Sequence, residues 1–563
     1  MVSLNKICFI FFLSFGWEQE INAQLKFLIE DFEGYANGSS DLDNKQNGLF
    51  TYGNAKSVII TKTSAQHNYL GQRYVQLTKE GSSTYGGWGK GLGLNVELSS
   101  NDDYFNFYFQ QSVGDETTAL KIQLQEDDNG NGVFEKDIDD IWAYTLKFTS
   151  APSSEHQQPK WELISIPLNK FKDDNGGGDG NFNINYKQGK LFCVIISFVN
   201  QPALYPEKKT LNTNHIWSFD FLCFSKGKLP TGDVITHPPT TTPNDFCTLG
   251  AWSKEGVTQD FVDIAINFEK NFKHHSEKKL GVIHFFQPFA VDGGTSTNNF
   301  PDVGSINKII KKGYIPMITL EDHFVNVRPR VKQPNLYSII EGHFDPFLKR
   351  WAKEIKKVDG IVLLRILHEF NGDWYPWCVA KNNNNPSLLI KAFRHIHNIF
   401  AEQKVTNVKF IWCPNSTSFP QEGWNYIMDA YPGDEFVDYV GMDIYNGAGQ
   451  EMPVWRSFRK EGIENYFILT QKLPHKPLFI CEAASRERKK KEPETAQNKA
   501  EWIRQMSEAL KTDMSKIRLL AWFNEKEPFM INSSIDATNA YLKYILNDDY
   551  FKPGTKYLES FVK

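Results

Sequence analysis

Ile361-Val362-Leu363-Leu364-Arg365-Ile366-Leu367 runs directly into His368-Glu369-Phe370-Asn371-Gly372-Asp373-Trp374-Tyr375-Pro376-Trp377. The first seven residues are too short for a helix and apolar apart from Arg365. That reads as a strand buried on both faces, the kind found in parallel sheets. It delivers a carboxylate to the rim of the sheet, beside an imidazole, an amide and a cluster of aromatic rings.

Working outward, the same strand-then-helix alternation recurs. Further strands are expected at Cys247 to Trp252, Leu280 to Phe286, Ile315 to Leu320, Val408 to Pro414, Val437 to Tyr445, Pro477 to Glu482 and Ile517 to Phe523. Helical periodicity fills the gaps, for example over 343–356, 387–403 and 495–511. Eight βα units in some 300 residues imply an α/β fold of the TIM (β/α)8 type, whose chemistry sits at the C-terminal strand ends. The rival is an open doubly wound sheet, but no Gly-rich phosphate loop follows any strand.

Three strands after Glu369, Lys476-Pro477-Leu478-Phe479-Ile480-Cys481 delivers Glu482 in the same way. A lone Glu at a strand end is ordinarily a loop acid or a helix cap. Two of them on the catalytic face of one barrel point to glycosidic cleavage, in which one carboxyl protonates the leaving oxygen. The other attacks the anomeric carbon or activates a water.

The motifs now extend along the barrel: His368-Glu369-x-Asn371-Gly372-x-Trp374-Tyr375-x-Trp377, Gly441-Met442-Asp443-Ile444-Tyr445-Asn446, Pro477 to Glu482 and Ala521-Trp522-Phe523-Asn524. In order and spacing this set resembles glycoside hydrolase family 26 over roughly 245–550. The resemblance implies a clan A barrel, a retaining double displacement and no cofactor for catalysis. It makes Glu369 the acid/base and Glu482 the nucleophile, with Tyr445 orienting Glu482. It places His368, Asn371, Trp374, Trp522 and Glu321 among the substrate-binding residues. The family's substrates are mostly β-1,4-mannans, with mixed-linkage β-1,3-1,4-glucans and xylans as alternatives. Thr319-Leu320-Glu321 resembles the Thr-Trp-Glu of its glucanase-like members, with Leu320 in place of Trp. Mannan is the first expectation, from family frequency alone. The competing class is a non-catalytic glycan-binding protein on an inactive barrel.

Composition agrees with an exported glycan enzyme. The chain has 563 residues, with 62 Lys+Arg against 67 Asp+Glu, so no basic field invites nucleic acid. Aromatic residues make up 14%, which suits either Phe-rich cores or sugar-stacking surfaces. Residues 1–23 read as a signal peptide, with Lys6 ahead of the short apolar run Ile7 to Gly16. No later run is long enough to span a membrane, and a secreted monomer acting on a plant-type β-glycan is expected. Six cysteines remain after Cys8, too sparse for a disulfide scaffold.

Residues 24–230 alternate in short β runs between Gly/Asn/Asp clusters and read as an all-β, jelly-roll-like sandwich. A Pro/Thr linker at 231–245 separates it from the barrel at 246–563, so each part is expected to fold alone. Through Glu30-Asp31-Phe32-Glu33 and its strand spacing, the first domain resembles a family 11 carbohydrate-binding module. A packing module is the alternative. Trp88 is its expected stacking platform. Asp127, Asn129 and Asn131 precede Gly132 with the spacing of a calcium loop, but Ile138 stands where the twelfth-position Glu belongs. A structural calcium and an Asp/Asn-rich hairpin turn are both open there.

Overall fold

The computed structural model describes residues 23–229 and 246–555, apart from 42, 44, 62–72, 81–85, 95, 115–117, 148–160, 186–188, 201–213, 254–261, 273–279, 292–298, 326–332, 448–454, 488–497 and 526–528. The expected signal peptide up to residue 22 and the expected linker lie outside the described residues.

The first part is two antiparallel sheets. Its strands are β1 (Gln24–Glu30), β2 (Leu49–Gly53), β3 (Ala55–Thr61), β4 (Arg73–Lys79), β5 (Gly86–Leu94) and β6 (Asp103–Val113). They continue with β7 (Thr118–Asp127), β8 (Ile141–Leu146), β9 (Glu162–Pro167), β10 (Lys172–Asp173), β11 (Lys190–Asn200) and β12 (His215–Lys226). One sheet runs β3-β4-β12-β6-β9 with β1 also on β12, and the other runs β10-β8-β7-β11-β5-β2. Strict alternation in β4, buried at Arg73, Val75, Leu77 and Lys79, puts one face on the shared core.

Trp88 belongs to that core and is no stacking platform: it is 1% exposed and lies 5.9 Å from the ring of Phe32. The reason is the two-residue period. Its neighbours Gly87 and Gly89 face the other way, and the rings of Tyr52 and Phe50 lie where their side chains would be.

The second part is a closed barrel. Its strands are β13 (Cys247–Ser253), β14 (Val282–Val291), β15 (Ile315–Val325), β16 (Val362–Ile366), β17 (Val408–Trp412), β18 (Tyr439–Asn446), β19 (Leu478–Ser485) and β20 (Ile517–Asn524). They pair in parallel in chain order, and β13 closes the ring by pairing with both β20 and β14. A two-residue β21 (Phe551–Lys552) adds to β13. Every strand expected from the sequence is present.

The helices are α1 (Val262–Lys270), α2 (Val303–Lys311), α3 (Leu336–Ile340), α4 (Asp345–Ile355), α5 (Pro386–Glu402), α6 (Phe458–Lys472), α7 (Lys499–Lys511) and α8 (Ile535–Tyr541). The sequence sets their bounds locally. α5 starts with Pro386 in its first turn, behind Asn385, whose side chain accepts from the Ser387 N–H. It buries Leu388, Leu389, Ala392, Phe393, Ile396, Ile399 and Phe400, one stripe at helical spacing.

α6 is different, because it is buried nearly all round. One side packs on the barrel and the other on β1, and Leu25, Leu28, Tyr108, Phe221 and Cys223 of the sandwich join the barrel's own hydrophobic core. The Lys460 ammonium donates to the Ile29 carbonyl at 2.8 Å and to Glu30 at 3.1 Å, and Ser457 donates to Asp31. Glu30 also accepts from Lys90 at 2.8 Å and Tyr35 at 2.7 Å. Burial by itself would raise the Glu30 carboxyl, but Lys460 and Lys90 outweigh it and hold the group below the ordinary carboxylate range. The Glu30-Asp31 pair that suggested a binding module therefore works at the contact between the two domains.

The six described cysteines are all free and buried. No helix among the described residues is long and apolar enough to cross a membrane.

Candidate active site

Strand alternation decides which side chains enter the barrel. Val282, Met317, Leu363, Ile411, Phe479, Leu519 and Ala521 form its dry floor. One step toward the C-terminal ends, the inward positions become polar. His284 Nε2 is 2.8 Å from Thr319 Oγ1, which accepts from Arg365 Nε at 2.8 Å. Arg365, fully buried, donates Nη1 to Asp443 at 2.6 Å and Nη2 to Glu482. Burial works against its charge, and the Asp443 and Glu482 carboxylates overcome that and keep the guanidinium protonated. Sequence reasoning missed Arg365, although a lone Arg inside an apolar strand needs a buried anion.

Glu482 reaches this layer through an irregularity. Leu478 and Ile480 of β19 face the helices, so simple alternation would send Glu482 outward as well. The β18–β19 register jumps between Met442↔Ile480 and Asp443↔Glu482, leaving Cys481 as an extra residue. A β-bulge of this kind re-aims a side chain. Glu482 turns inward, where one oxygen accepts from Arg365 and the other from the Tyr445 hydroxyl. Burial and the Glu482 charge raise the Tyr445 phenol well above its ordinary value, so it remains a donor.

Glu369 faces Glu482 from the fourth strand. Its backbone is left-handed (φ 51°), as is that of Leu367 (φ 50°). Such conformations cost about 1–3 kcal/mol each and persist where surroundings enforce them. Here the Glu369 N–H donates to the Cys413 carbonyl at 2.8 Å, and its own carbonyl accepts from Gly372 at 2.9 Å. Gly372 lets the loop fold back: a Cβ there would meet the Trp374 ring at 2.5 Å. Trp374 then donates Nε1–H to Glu369 Oε2 at 2.7 Å while its ring stays 45% exposed. Burial first, then the Glu482 charge, push the Glu369 carboxyl up to about 7, against the pull of the Trp374 hydrogen bond. Glu369 is thus a proton donor near neutrality beside a carboxylate held by two donors.

Glu321, two residues beyond Thr319 on β15, faces the same space, and burial and Glu482 push it up to about 8. The mouth is walled by aromatic rings. Phe523 stands edge-on to Tyr445 at 5.6 Å and to Phe286 at 6.0 Å, and Trp252 meets Phe286 at 5.4 Å.

Two expected substrate contacts are corrected. Trp522 is fully buried and points outward, 6.2 Å from Trp502 and 5.7 Å from Tyr541; its neighbour Phe523 takes the inward position. Asn371 is also fully buried, and its amide is spent on Asn415 and Ser418, bracing the loops after β16 and β17. His368 is 1% exposed and packs 4.8 Å from Tyr375, 5.6 Å from Trp377 and 6.3 Å from Phe286, one of the rings of the mouth. Trp412 stacks on Phe370 at 5.2 Å in the helix-side core.

In the sandwich, Asp127, Asn129 and Asn131 form a hairpin turn bonded within itself. Asp127 accepts from the Asn131 and Gly132 N–H groups, Asn129 from Asn131, and Asn131 from Val133.

The chain was compared with known proteins. The model of Glycosyl hydrolase family 26 matches residues 325–512, a span holding both Glu369 and Glu482. Endoglucanase H of Acetivibrio thermocellus is 31% identical over 308 residues, covering 54% of this chain and 31% of the relative. A mannan endo-1,4-beta-mannosidase of Bacillus subtilis strain 168 is 28% identical over 160 residues, 25% of this chain and 43% of the relative. The chain thus spans less than half the length of either. Among solved structures, the Podospora anserina GH26-CBM35 beta-(1,4)-mannanase covers 92% of this chain and 100% of its own, at 14% identity and a TM-score of 0.41. The family match spans both carboxylates of the mouth and, with these relatives, supports a glycosyl hydrolase family 26 catalytic domain in the barrel.

Proposed function

We propose that this protein is an exported endo-β-glycanase that cleaves a β-1,4-linked polysaccharide with retention of configuration. The observation that carries this reading is the asymmetric pair: Glu482 fixed by Arg365 and Tyr445, Glu369 pushed up to about 7 across the mouth. Glu482 attacks the anomeric carbon while the glycosidic C–O bond breaks and the Glu369 proton passes to the leaving oxygen. Glu369, now a carboxylate, takes a proton from water, which attacks the same carbon and releases Glu482. The half-exposed face of Trp374 offers a sugar ring a stacking surface directly over the acid.

Mannan is the substrate expected from family frequency. A β-glucan is the second reading, and two observations favour it. The relative aligned over more than half of this chain is an endoglucanase, and the Thr319-Leu320-Glu321 run of β15 brings a third carboxyl to the mouth. The sandwich is proposed to bind glycan, with a surface other than Trp88.

Incubation with galactomannan, glucomannan, mixed-linkage glucan and xylan should release reducing ends from at least one of the first three. NMR of the first product should show the β anomer. Binding without release on all four would establish the non-catalytic class instead. Release of the α anomer first would overturn the retaining mechanism.

A further inference from the structure

We infer that Glu126, Asp128, Asp140 and Asn183 of the sandwich form a binding site for a hard divalent cation of calcium size. The site shares Asp128 with the Asp127–Asn131 turn but uses none of Asp127, Asn129 and Asn131, and it joins three segments: the end of β7, the start of β8 and the loop leading into β11.

One carboxylate oxygen each from Glu126, Asp128 and Asp140 lies within 4.8 Å of the other two. Two oxygens on opposite sides of one Ca2+, each at about 2.4 Å, stand that far apart at most. Asp128 and Asp140 each use one oxygen in a backbone hydrogen bond, and Glu126 uses both of its own, each with a second lone pair to offer. Asp128 Oδ2 accepts from the Asp140 N–H at 3.0 Å, and Asp140 Oδ2 from the Gly180 N–H at 3.0 Å. Glu126 accepts from Trp142 Nε1 at 2.8 Å and from the Asn183 N–H at 3.1 Å.

What remains points to a ligand. Asp128 Oδ1, Asp140 Oδ1 and Asn183 Oδ1 are buried acceptors with no hydrogen-bond partner, and Asp140 is itself 0% exposed. Buried acceptors are ordinarily satisfied, and three orphaned oxygens in one place call for a donor or a cation. Among the described ion pairs, none brings a Lys or Arg to Glu126, Asp128 or Asp140. An all-oxygen set of three carboxylates and an amide selects a hard ion.

The backbone is shaped to the cluster. Gly178 has φ +66°, and a Cβ there would lie 2.1 Å from Asp140 Oδ1 and 2.6 Å from Asp128 Oδ2. Of the run Gly176-Gly177-Gly178, Gly178 is the residue packed against the two carboxylates.

The test uses the full chain. Its thermal midpoint is measured in EDTA and in millimolar CaCl2, with Tb3+ luminescence excited through tryptophan as a second readout, since Trp142 touches Glu126. Ca2+ should raise the midpoint by about 3 °C or more, and Tb3+ should luminesce and be displaced by Ca2+. Asp140→Asn and Asp128→Asn should each abolish the Ca2+ rise. In EDTA they should be at least as stable as the parent, because each removes repulsion. Asn131→Ser, in the adjacent turn, should keep the rise. Trp142→Phe should lose luminescence and keep the rise. Absence of any Ca2+ effect on the parent would overturn the site. So would a rise retained in Asp140→Asn, or one lost in Asn131→Ser.

Discussion

Trp374 donates its indole N–H to Glu369 Oε2 at 2.7 Å from five residues further along the same loop, with its ring left half open to solvent. One side chain thus offers a sugar platform and adjusts the acid beneath it. The hydrogen bond lowers the Glu369 pKa, while burial and Glu482 raise it. In Trp374→Phe the donor is gone and Glu369 should hold its proton to higher pH. The basic limb of kcat/KM, near pH 7 in the parent, should move upward by as much as about one unit. An unmoved limb would remove Trp374 from the tuning of the acid.

The two carboxyls should fail in different ways. Glu482→Gln should abolish turnover, because an amide forms no glycosyl ester. Glu369→Ala should lose about 10²–10⁴-fold on polysaccharide and far less on aryl glycosides, whose leaving groups need little protonation. Equal losses on both substrates would contradict the acid/base role.

Arg365 is the single cation between Asp443 and Glu482 among the described ion pairs. Arg365→Met should leave two buried carboxylates without their cation, at a cost of about 3–5 kcal/mol. Arg365→Lys keeps the charge but not the three-way fork, so it should recover stability more than turnover. Denaturant unfolding and kcat, measured together, would expose equal recovery, which would make Arg365 purely structural.

The barrel expressed alone, residues 246–563, should be less stable than the whole chain, contrary to the independence expected from the linker. Without the sandwich, the outer face of α6 would meet water and Lys460 would lose Glu30. In the whole chain, Glu30→Gln should cost roughly 3–5 kcal/mol at neutral pH, since Lys90 and Lys460 lose their carboxylate. Glu30 has a depressed folded pKa, so its contribution is present above the unfolded value of about 4.3 and is lost as pH falls below it. Acid unfolding should therefore be less steep in Glu30→Gln than in the parent. A barrel fragment with the parent's midpoint would show the docking to be dispensable.

Trp88→Ala should unfold the sandwich more easily, by about 3–5 kcal/mol, and should not act as a selective loss of glycan binding. Circular dichroism melts of residues 24–229 beside pull-down on insoluble glycans would separate the two outcomes.

The sequence by itself determined the eight strands, their order and the two strand ends that carry Glu369 and Glu482, because a buried strand is a local apolar run with a stop signal after it. It did not determine which way each rim residue faces. Trp522 and Phe523 are adjacent aromatics, and only the register of β20 against the floor residues Leu519 and Ala521 turns Phe523 inward. Glu482 would have pointed at the helices by simple alternation, and the bulge at Cys481 exists only in the pairing of β19 with its neighbours β18 and β20. Trp88 looked like a surface ring until Phe50 and Tyr52 came to cover the glycines beside it. Arg365 gained its role only once Asp443 and Glu482, 78 and 117 residues away, closed around it. Local patterning fixes elements, whereas side-chain direction at strand ends, and the partners of a buried charge, are settled by contacts between residues far apart in the chain.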